Sequence, residues 1–353
     1  MNINKSIGQT FGILMAQISK VYEKNIFVKY LLGLILQEKK FSILEISEST
    51  EEYSYDQFNY FLETQIKWSN IYYMLAKFII ELFQEENWYL VADGSPLKQQ
   101  HAKKRVTREG HKDMPDKNTP QNELICLSIT NGTIFIPLDF YIWVSPKVEN
   151  EKVYKKKTDA LLSLLKKYQF MGMAIKTIVF DSFFASKQIM EWLNEHGYTF
   201  ITRLKENRVI KRGKGKEILR DILKENNEST VAQLKNQKIL YKILRFHHQD
   251  EDIFIATNDV NISNLELIML YQDRWKVEEF HKDAKQHLGL EYYWVRKMPK
   301  LTNHVGFVCL AFAILSTLKY LFGESIGSTK WKIHNMIYQK QDAADRLLQC
   351  CIS

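Results

Sequence analysis

WYLVADG, residues 88–94, is the stretch on which the fold turns: a short apolar run closed by an aspartate and a glycine. So brief a run, bounded by turn formers, predicts a buried β-strand and not a helix. Everything before it reads differently. Residues 10–85 are predominantly helical in pattern, most clearly in YLLGLILQ (Tyr30 to Gln37) and SNIYYMLAKFIIELF (Ser69 to Phe83), with Ser69 expected as an N-cap. Between these runs, ISESTEEYSYDQFNYFLE is rich in cap-forming residues. It suits either a helix–turn–helix that reads a DNA site or plain helical packing, and its acidity weighs against strong phosphate binding.

After residue 94 the β pattern continues. ELICLSIT (123–130) and TIFIPLDFYIW (133–143) form two strands joined at Asn131-Gly132, a strong hairpin signal. A helix over 154–170 follows, its leucines at 161, 162, 164 and 165 set among lysines. A fourth strand, IKTIVFD, ends at Asp181; a helix over 186–196 and a fifth strand, YTFITRL, complete the series. Three meandering strands, helix, strand, helix, strand is an α/β order with a mixed sheet, and it resembles the ribonuclease-H-like fold. Taken singly, Asp93 and Asp181 each read as a cap or turn former. Two aspartates at matching strand ends read as a site.

The second informative stretch is YQDRWKVEEFHKDAKQHLGL, residues 271–290, expected as one long helix starting near Ser263 and stopping at Gly289. At about 100° per residue, Tyr271, Arg274, Glu278 and Lys285 share an arc of about 60°. Glu279 and Asp283 fall well outside it. If one acid of this helix serves a site beside basic partners, it is Glu278; the plainer reading is a solvated face with i,i+4 ion pairs.

Bulk properties are those of a soluble globular chain: 353 residues, 45% hydrophobic, 25% charged, net charge +8 and pI near 9.0. The charge is uneven. Residues 1–90 hold eight lysines against eleven carboxylates, a net of −3, so the remainder carries +11. A polyanion would therefore meet the middle and C-terminal parts. The basic groups there are Lys98, Lys103, Lys104, Arg105 and Arg108; Lys152, Lys155, Lys156 and Lys157; and Lys205, Arg208, Lys211, Arg212, Lys214 and Lys216. Cys126, Cys309, Cys350 and Cys351 lack zinc-ligand spacing, and MNINKSIGQTFG lacks the apolar core of a secretory signal. The expectation is a reduced, cytoplasmic protein. The longest apolar stretch, about a dozen residues from Phe307 to Leu318, is too short for a bilayer and suits a buried helix.

The spacing Tyr-x2-Arg-x3-Glu-x6-Lys, filled by Tyr271, Arg274, Glu278 and Lys285, together with Asp93 in VADGSPLK and Asp181 in VFDSFFAS, resembles the insertion-sequence transposases of the DDE type that bear the Y-R-E-K signature, the insertion-sequence-four group. The likeness covers residues from about 88 to 320. The acids stand 88 and 97 residues apart. The second gap exceeds what a bare ribonuclease-H-like core needs, and in this family a β-rich insertion fills it. Residues 205–260, with KILYKILRF and DIFIATN, match that description. They contain no Trp, which relatives often use in this insertion to stack a flipped base; Phe246, His247 and His248 are the aromatic residues in its place.

Residue pattern and resemblance together give five expected segments: a helical N-terminal domain (1–85), the first part of the catalytic core (86–204), a basic β-rich insertion (205–260), the remainder of the core (261–325) and a helical tail (326–353). It implies Asp93, Asp181 and Glu278 as catalytic and metal-binding carboxylates, with two Mg²⁺ ions, for which Mn²⁺ can substitute, and no small-molecule cofactor. Three converging carboxylates repel one another, and the metal charge offsets that. Tyr271, Arg274, Lys285, Lys98, Lys103, Lys104, Arg105, Arg208, Lys211 and Arg212 would face DNA. The partner is double-stranded DNA, both element ends and target, with a homodimer in the synaptic complex, no membrane, and nucleoid association when bound. Two other functions fit the same residues: a nuclease of this fold that never joins strands, and a silent DNA-binding descendant.

Overall fold

Ser6 is extended, and its hydroxyl accepts from Gln9 N while the Gln9 side chain returns to the Ser6 amide, a capping box that starts α1 (Ile7–Val21). This computed structural model describes residues 6–22, 24–38, 41–50, 52–84, 87–98, 121–144, 155–212, 215–225, 228–248, 251–292, 295 and 297–339. After α1 come α2 (Asn25–Leu36), α3 (Ile43–Thr50), α4 (Tyr55–Phe61) and α5 (Trp68–Leu82). Strands β1 (Tyr89–Lys98), β2 (Gln121–Thr130) and β3 (Phe135–Trp143) follow, then α6 (Lys157–Phe170), β4 (Thr177–Phe180), a 3-10 turn (Ser182–Phe184), α7 (Lys187–Glu195) and β5 (Thr199–Leu204). The β-rich stretch holds β6 (Val209–Arg212), β7 (Gly215–Ile218), the short α8 (Leu219–Ile222), β8 (Ser229–Leu234), β9 (Leu240–His248) and β10 (Glu251–Thr257). The chain ends on α9 (Asn264–Gln272), α10 (Trp275–His287), α11 (Met298–Phe322) and α12 (Ile326–Gln339).

Two compact units divide these elements. The first takes residues 1–87, 94–154 and 278–353 and is built around α11. Trp68 Nε1 donates to Asn303 Oδ1 at 2.9 Å, and Tyr72 donates to Gly306 O at 2.8 Å, tying α5 to α11. A Cβ on Gly306 would lie 2.1 Å from the Trp68 ring, so only glycine permits this approach. α5 begins at Trp68 after Lys67, with Ser69 already inside it and buried. The expected Ser69 cap is therefore absent; the N-cap position falls two residues earlier, at Lys67, and Trp68 in the first turn bonds Asn303. At the hairpin, Gly132 has φ +88° and Asn131 Oδ1 accepts from Thr133 N and Ile134 N at 3.0 and 2.8 Å, giving a four-residue loop in place of the tightest two-residue turn.

α11 is longer than its apolar stretch suggested. Its 25 residues have a mean hydropathy of 2.0 over the most apolar window, enough by length and composition to cross a bilayer, yet 78% of that window is buried inside the protein. It is a core helix.

The second unit takes residues 88–93 and 155–277. Its strands run β1-β4-β5-β10-β9-β8-β6-β7. The pairings β1–β4 and β4–β5 are parallel and the others antiparallel, so the sheet is mixed as expected. β10 pairs with β5, Phe254 opposite Leu204 and Thr257 opposite Ile201, so the β-rich stretch after residue 204 extends the same sheet. Both units obey alternation and helical periodicity closely enough for most element positions to follow from sequence.

Two histidines in the first unit, His281 on α10 and His304 on α11, are fully enclosed. Burial depresses them to about 3 and about 4, His304 also bonding Gly289 O at 2.9 Å through Nε2. Folded, both stay neutral; unfolded, both bind protons below about pH 6.5. Stability is therefore complete above that pH and is lost as pH falls through it. Thermal melting between pH 7 and about 4 should show a falling midpoint, and His281→Leu should flatten the slope by about one proton. An unchanged slope would contradict the burial argument.

Candidate active site

Leu90, Val91 and Ala92 of β1 lie opposite Ile178, Val179 and Phe180 of the parallel strand β4. The next residue on each strand is an aspartate. Asp93 and Asp181 thus leave the ladder together, one strand spacing (~4.8 Å between backbones) apart. β1 itself continues to Lys98, so Asp93 sits within a strand and not at its end as the sequence suggested; what ends there is the pairing with β4. Asp181 occupies the N-cap position of the 3-10 turn but makes no side-chain capping bond. Capping does not account for it.

Side-by-side carboxylates repel, and one of them has a cation at hand. Arg274 Nη1 lies 3.2 Å from Asp93 Oδ2, the two side chains only 10% and 15% exposed. The route by which Arg274 arrives there corrects the expected helix. α9 ends at Gln272, Asp273 and Arg274 form a turn, and α10 starts at Trp275. Bonds of i→i+3 type, Arg274 N to Tyr271 O, Lys276 N to Asp273 O and Val277 N to Arg274 O, tighten the chain here. No Pro or Gly causes the break; the inward pairing of Arg274 with Asp93 accompanies it. The shared 60° arc of Tyr271, Arg274, Glu278 and Lys285 does not survive, because Tyr271 is on one helix and Glu278 on the next.

Tyr271 is buried against Phe246, ring centroids 6.3 Å apart, and the Arg274 guanidinium carbon lies 5.6 Å from the centroids of both Tyr271 and the half-exposed Trp275. Burial pushes the Tyr271 phenol above its ordinary range, with the Arg274 charge opposing. Among the described residues its hydroxyl has no partner at full hydrogen-bonding geometry, and Arg274 is the group near enough to help satisfy it. His247 lies 3.3 Å from Asp252, and the His248 ring 6.0 Å from that of Trp275. Phe246 is packed inside.

An open cavity of about 370 Å³ is lined by Ser182, the residue after Asp181, and by Arg203, Leu204, Lys205, Glu206, Asn207, Asp252 and Phe254. Arg203 reaches Glu251 at 3.0 Å there. The sequence reading passed over Ser182 and Arg203; their signal was position, Ser182 immediately after the second acid and Arg203 next to the end of YTFITRL. Arg208 donates to Ala185 O and so fastens the chain after the 3-10 turn, while Lys211 is exposed on β6. The Arg212 side chain and Lys103, Lys104 and Arg105 lie outside the described residues.

The remaining acid, Glu278, lies in the first turn of α10, and from Glu278 onward the helix counts with the first unit. Within that unit Lys285 Nζ sits 3.1 Å from Glu291 and donates to Pro96 O at 3.1 Å, and Glu291 also accepts from Lys98 N at 3.0 Å. Among the described residues no three His, Cys, Asp or Glu side chains are gathered closely enough to hold a metal ion. Asp93 and Asp181 nevertheless suit a hard divalent cation by chemistry, as adjacent oxygen donors, with Arg274 supplying positive charge at Asp93.

A family model for the DDE superfamily endonucleases matches residues 14–215, more than half of the chain. The chain belongs to the DDE superfamily. A second model, the transposase DDE domain, matches residues 151–314. Membership implies a DNA-cleaving enzyme. In fold the chain is similar to a piggyBac transposase solved by cryo-EM as a synaptic complex with hairpin DNA, with TM-score 0.53 and 10% identity over 95% of this chain and 78% of that one. No protein of curated function matches.

The unsatisfied Tyr271 hydroxyl separates a structural from a functional role. In DNA-free protein, Tyr271→Phe should leave stability unchanged or raise it by up to about 1–3 kcal/mol, since it removes a buried hydroxyl that lacks a well-formed partner. Urea unfolding measures this; a clear loss of stability would mean that Arg274 satisfies the hydroxyl.

Proposed function

We propose that this member of the DDE superfamily is a transposase of the Y-R-E-K group, which cleaves DNA at the ends of an insertion sequence and joins the freed 3′-hydroxyls to target DNA. The observation that carries this reading is the in-register exit of Asp93 and Asp181 from adjacent parallel strands, in a chain that matches DDE transposase and endonuclease families. Asp93, Asp181 and Glu278 would hold two divalent ions, Mg²⁺ or in substitution Mn²⁺. When bound, such ions activate the attacking oxygen and offset charge on the leaving one.

The chain's own residues supply the rest. Arg274 holds the Asp93 carboxylate in place and carries a charge that a DNA phosphate would also attract. Tyr271 backs the guanidinium with a ring. Lys285, Lys98, Lys103, Lys104, Arg105, Arg208, Lys211 and Arg212 are proposed phosphate contacts for double-stranded DNA, position without sequence reading. Two ends must be held together for joining, which calls for a homodimer in the synaptic complex. The protein would act in the cytoplasm, on nucleoid DNA.

The test is cleavage of DNA from the flanks of the coding region with Mg²⁺. Asp93→Ala, Asp181→Ala and Glu278→Ala should each lower the rate by more than about a hundredfold, the scale of several kcal/mol of lost charge stabilisation. Retention of full activity by all three would end the assignment. Products joined into a target plasmid distinguish a transposase from a nuclease that only cuts, and end binding without nicking would mark a silent descendant. Binding should also weaken steeply between 50 and 200 mM salt, by about 10³-fold or more for six or more phosphate contacts.

A further inference from the structure

Phe183 stands two residues beyond Asp181, on the 3-10 turn that follows β4. Its neighbour Phe184 is 1% exposed and does the packing, while Phe183 is 53% exposed and meets Phe184 edge-on, centroids 5.2 Å apart at 86°. A large ring left open beside a polar strand end serves no core. Lys157 Nζ sits 5.0 Å from the Phe183 centroid, over the ring, and Lys155 and Lys156 precede it, both exposed. Arg208 bonds Ala185 O and so holds the turn that presents the ring. The cavity lined by Ser182, Arg203 and Lys205 opens at the same turn.

We infer that Phe183 is a stacking platform for an unpaired base of the DNA strand being cut, with Lys157 and its neighbouring lysines meeting the backbone beside it. This rests on the DNA-cleaving reading for the nature of the ligand. An aromatic face takes any base, because every base offers a π-face, and flanking cations follow the phosphates. An ammonium over one face of the ring places positive charge beside a base stacked on the other. The platform is thus a positioning element for the scissile strand next to Asp181.

The experiment uses the full chain in EDTA, so that no cleavage occurs, and two duplexes of the same sequence, one fully paired and one with a single unpaired 2-aminopurine. Wild type should prefer the unpaired duplex and change the probe's fluorescence. Phe183→Ala should reduce binding of that duplex by about ten- to a hundredfold, the scale of one lost base stack, while paired-duplex binding holds. Phe183→Trp should restore the preference, and Phe183→Leu, apolar without a π-face, should not. Equal affinity of wild type for the two duplexes, an Ala variant that keeps the preference, or a loss shared equally by both duplexes would each overturn the proposal. The binding assay runs without metal and without cleavage, so a failure of the three-carboxylate assignment in the cleavage assay is read separately from a failure here.

Discussion

Two like charges forced into register are the constraint from which the second unit is best understood. A parallel ladder between β1 and β4 leaves no freedom in which residues come abreast, and the first pair beyond it is Asp93 and Asp181. In a partly enclosed setting, such a pair is unfavourable without nearby positive charge. Arg274 provides it at Asp93, and its own desolvation is offset by that contact and by the rings of Tyr271 and Trp275.

The Arg274 contact organises the polypeptide that bears it. Residues 263–287 have the composition of an uninterrupted helix, yet the chain turns at Asp273 and Arg274 and restarts at Trp275. Backbone hydrogen bonding is conserved through i→i+3 pairs, so the turn costs little locally. What it achieves is to separate the element holding Tyr271 from the element that begins the run to Glu278 and Lys285. Four residues that a helical wheel places on one stripe become a buried tyrosine, a paired arginine in a turn, and two residues of a new helix.

Much of this was legible in the amino-acid order, and the exceptions share a cause. WYLV and TIVF placed β1 and β4 because short apolar runs bounded by turn formers have few structural readings. Asn131-Gly132 announced the hairpin through side-chain chemistry that acts within four residues. The break at Asp273, the N-cap of α5 at Lys67 instead of Ser69, and the continuation of β1 past Gly94 were illegible locally. In the first two, a partner distant in sequence accompanies the departure: Asp93 for Arg274, Asn303 for Trp68. Arg203 and Phe183 escaped notice for a related reason. An arginine in a strand and a second phenylalanine in a pair carry no motif, and only burial distinguishes Phe183 from Phe184.

The parallel ladder has a further consequence for biosynthesis. β1 is complete at residue 98, whereas its partner β4 begins at residue 177. At about 5–20 residues per second, roughly 4 to 16 s separate their emergence from the ribosome. During that interval the apolar edge of β1 that will carry Asp93 has no strand to meet on that side. The strand that carries Asp93 is therefore born long before its partner, and nascent chains halted between these points would present an aggregation-prone strand to the chaperones of the cell.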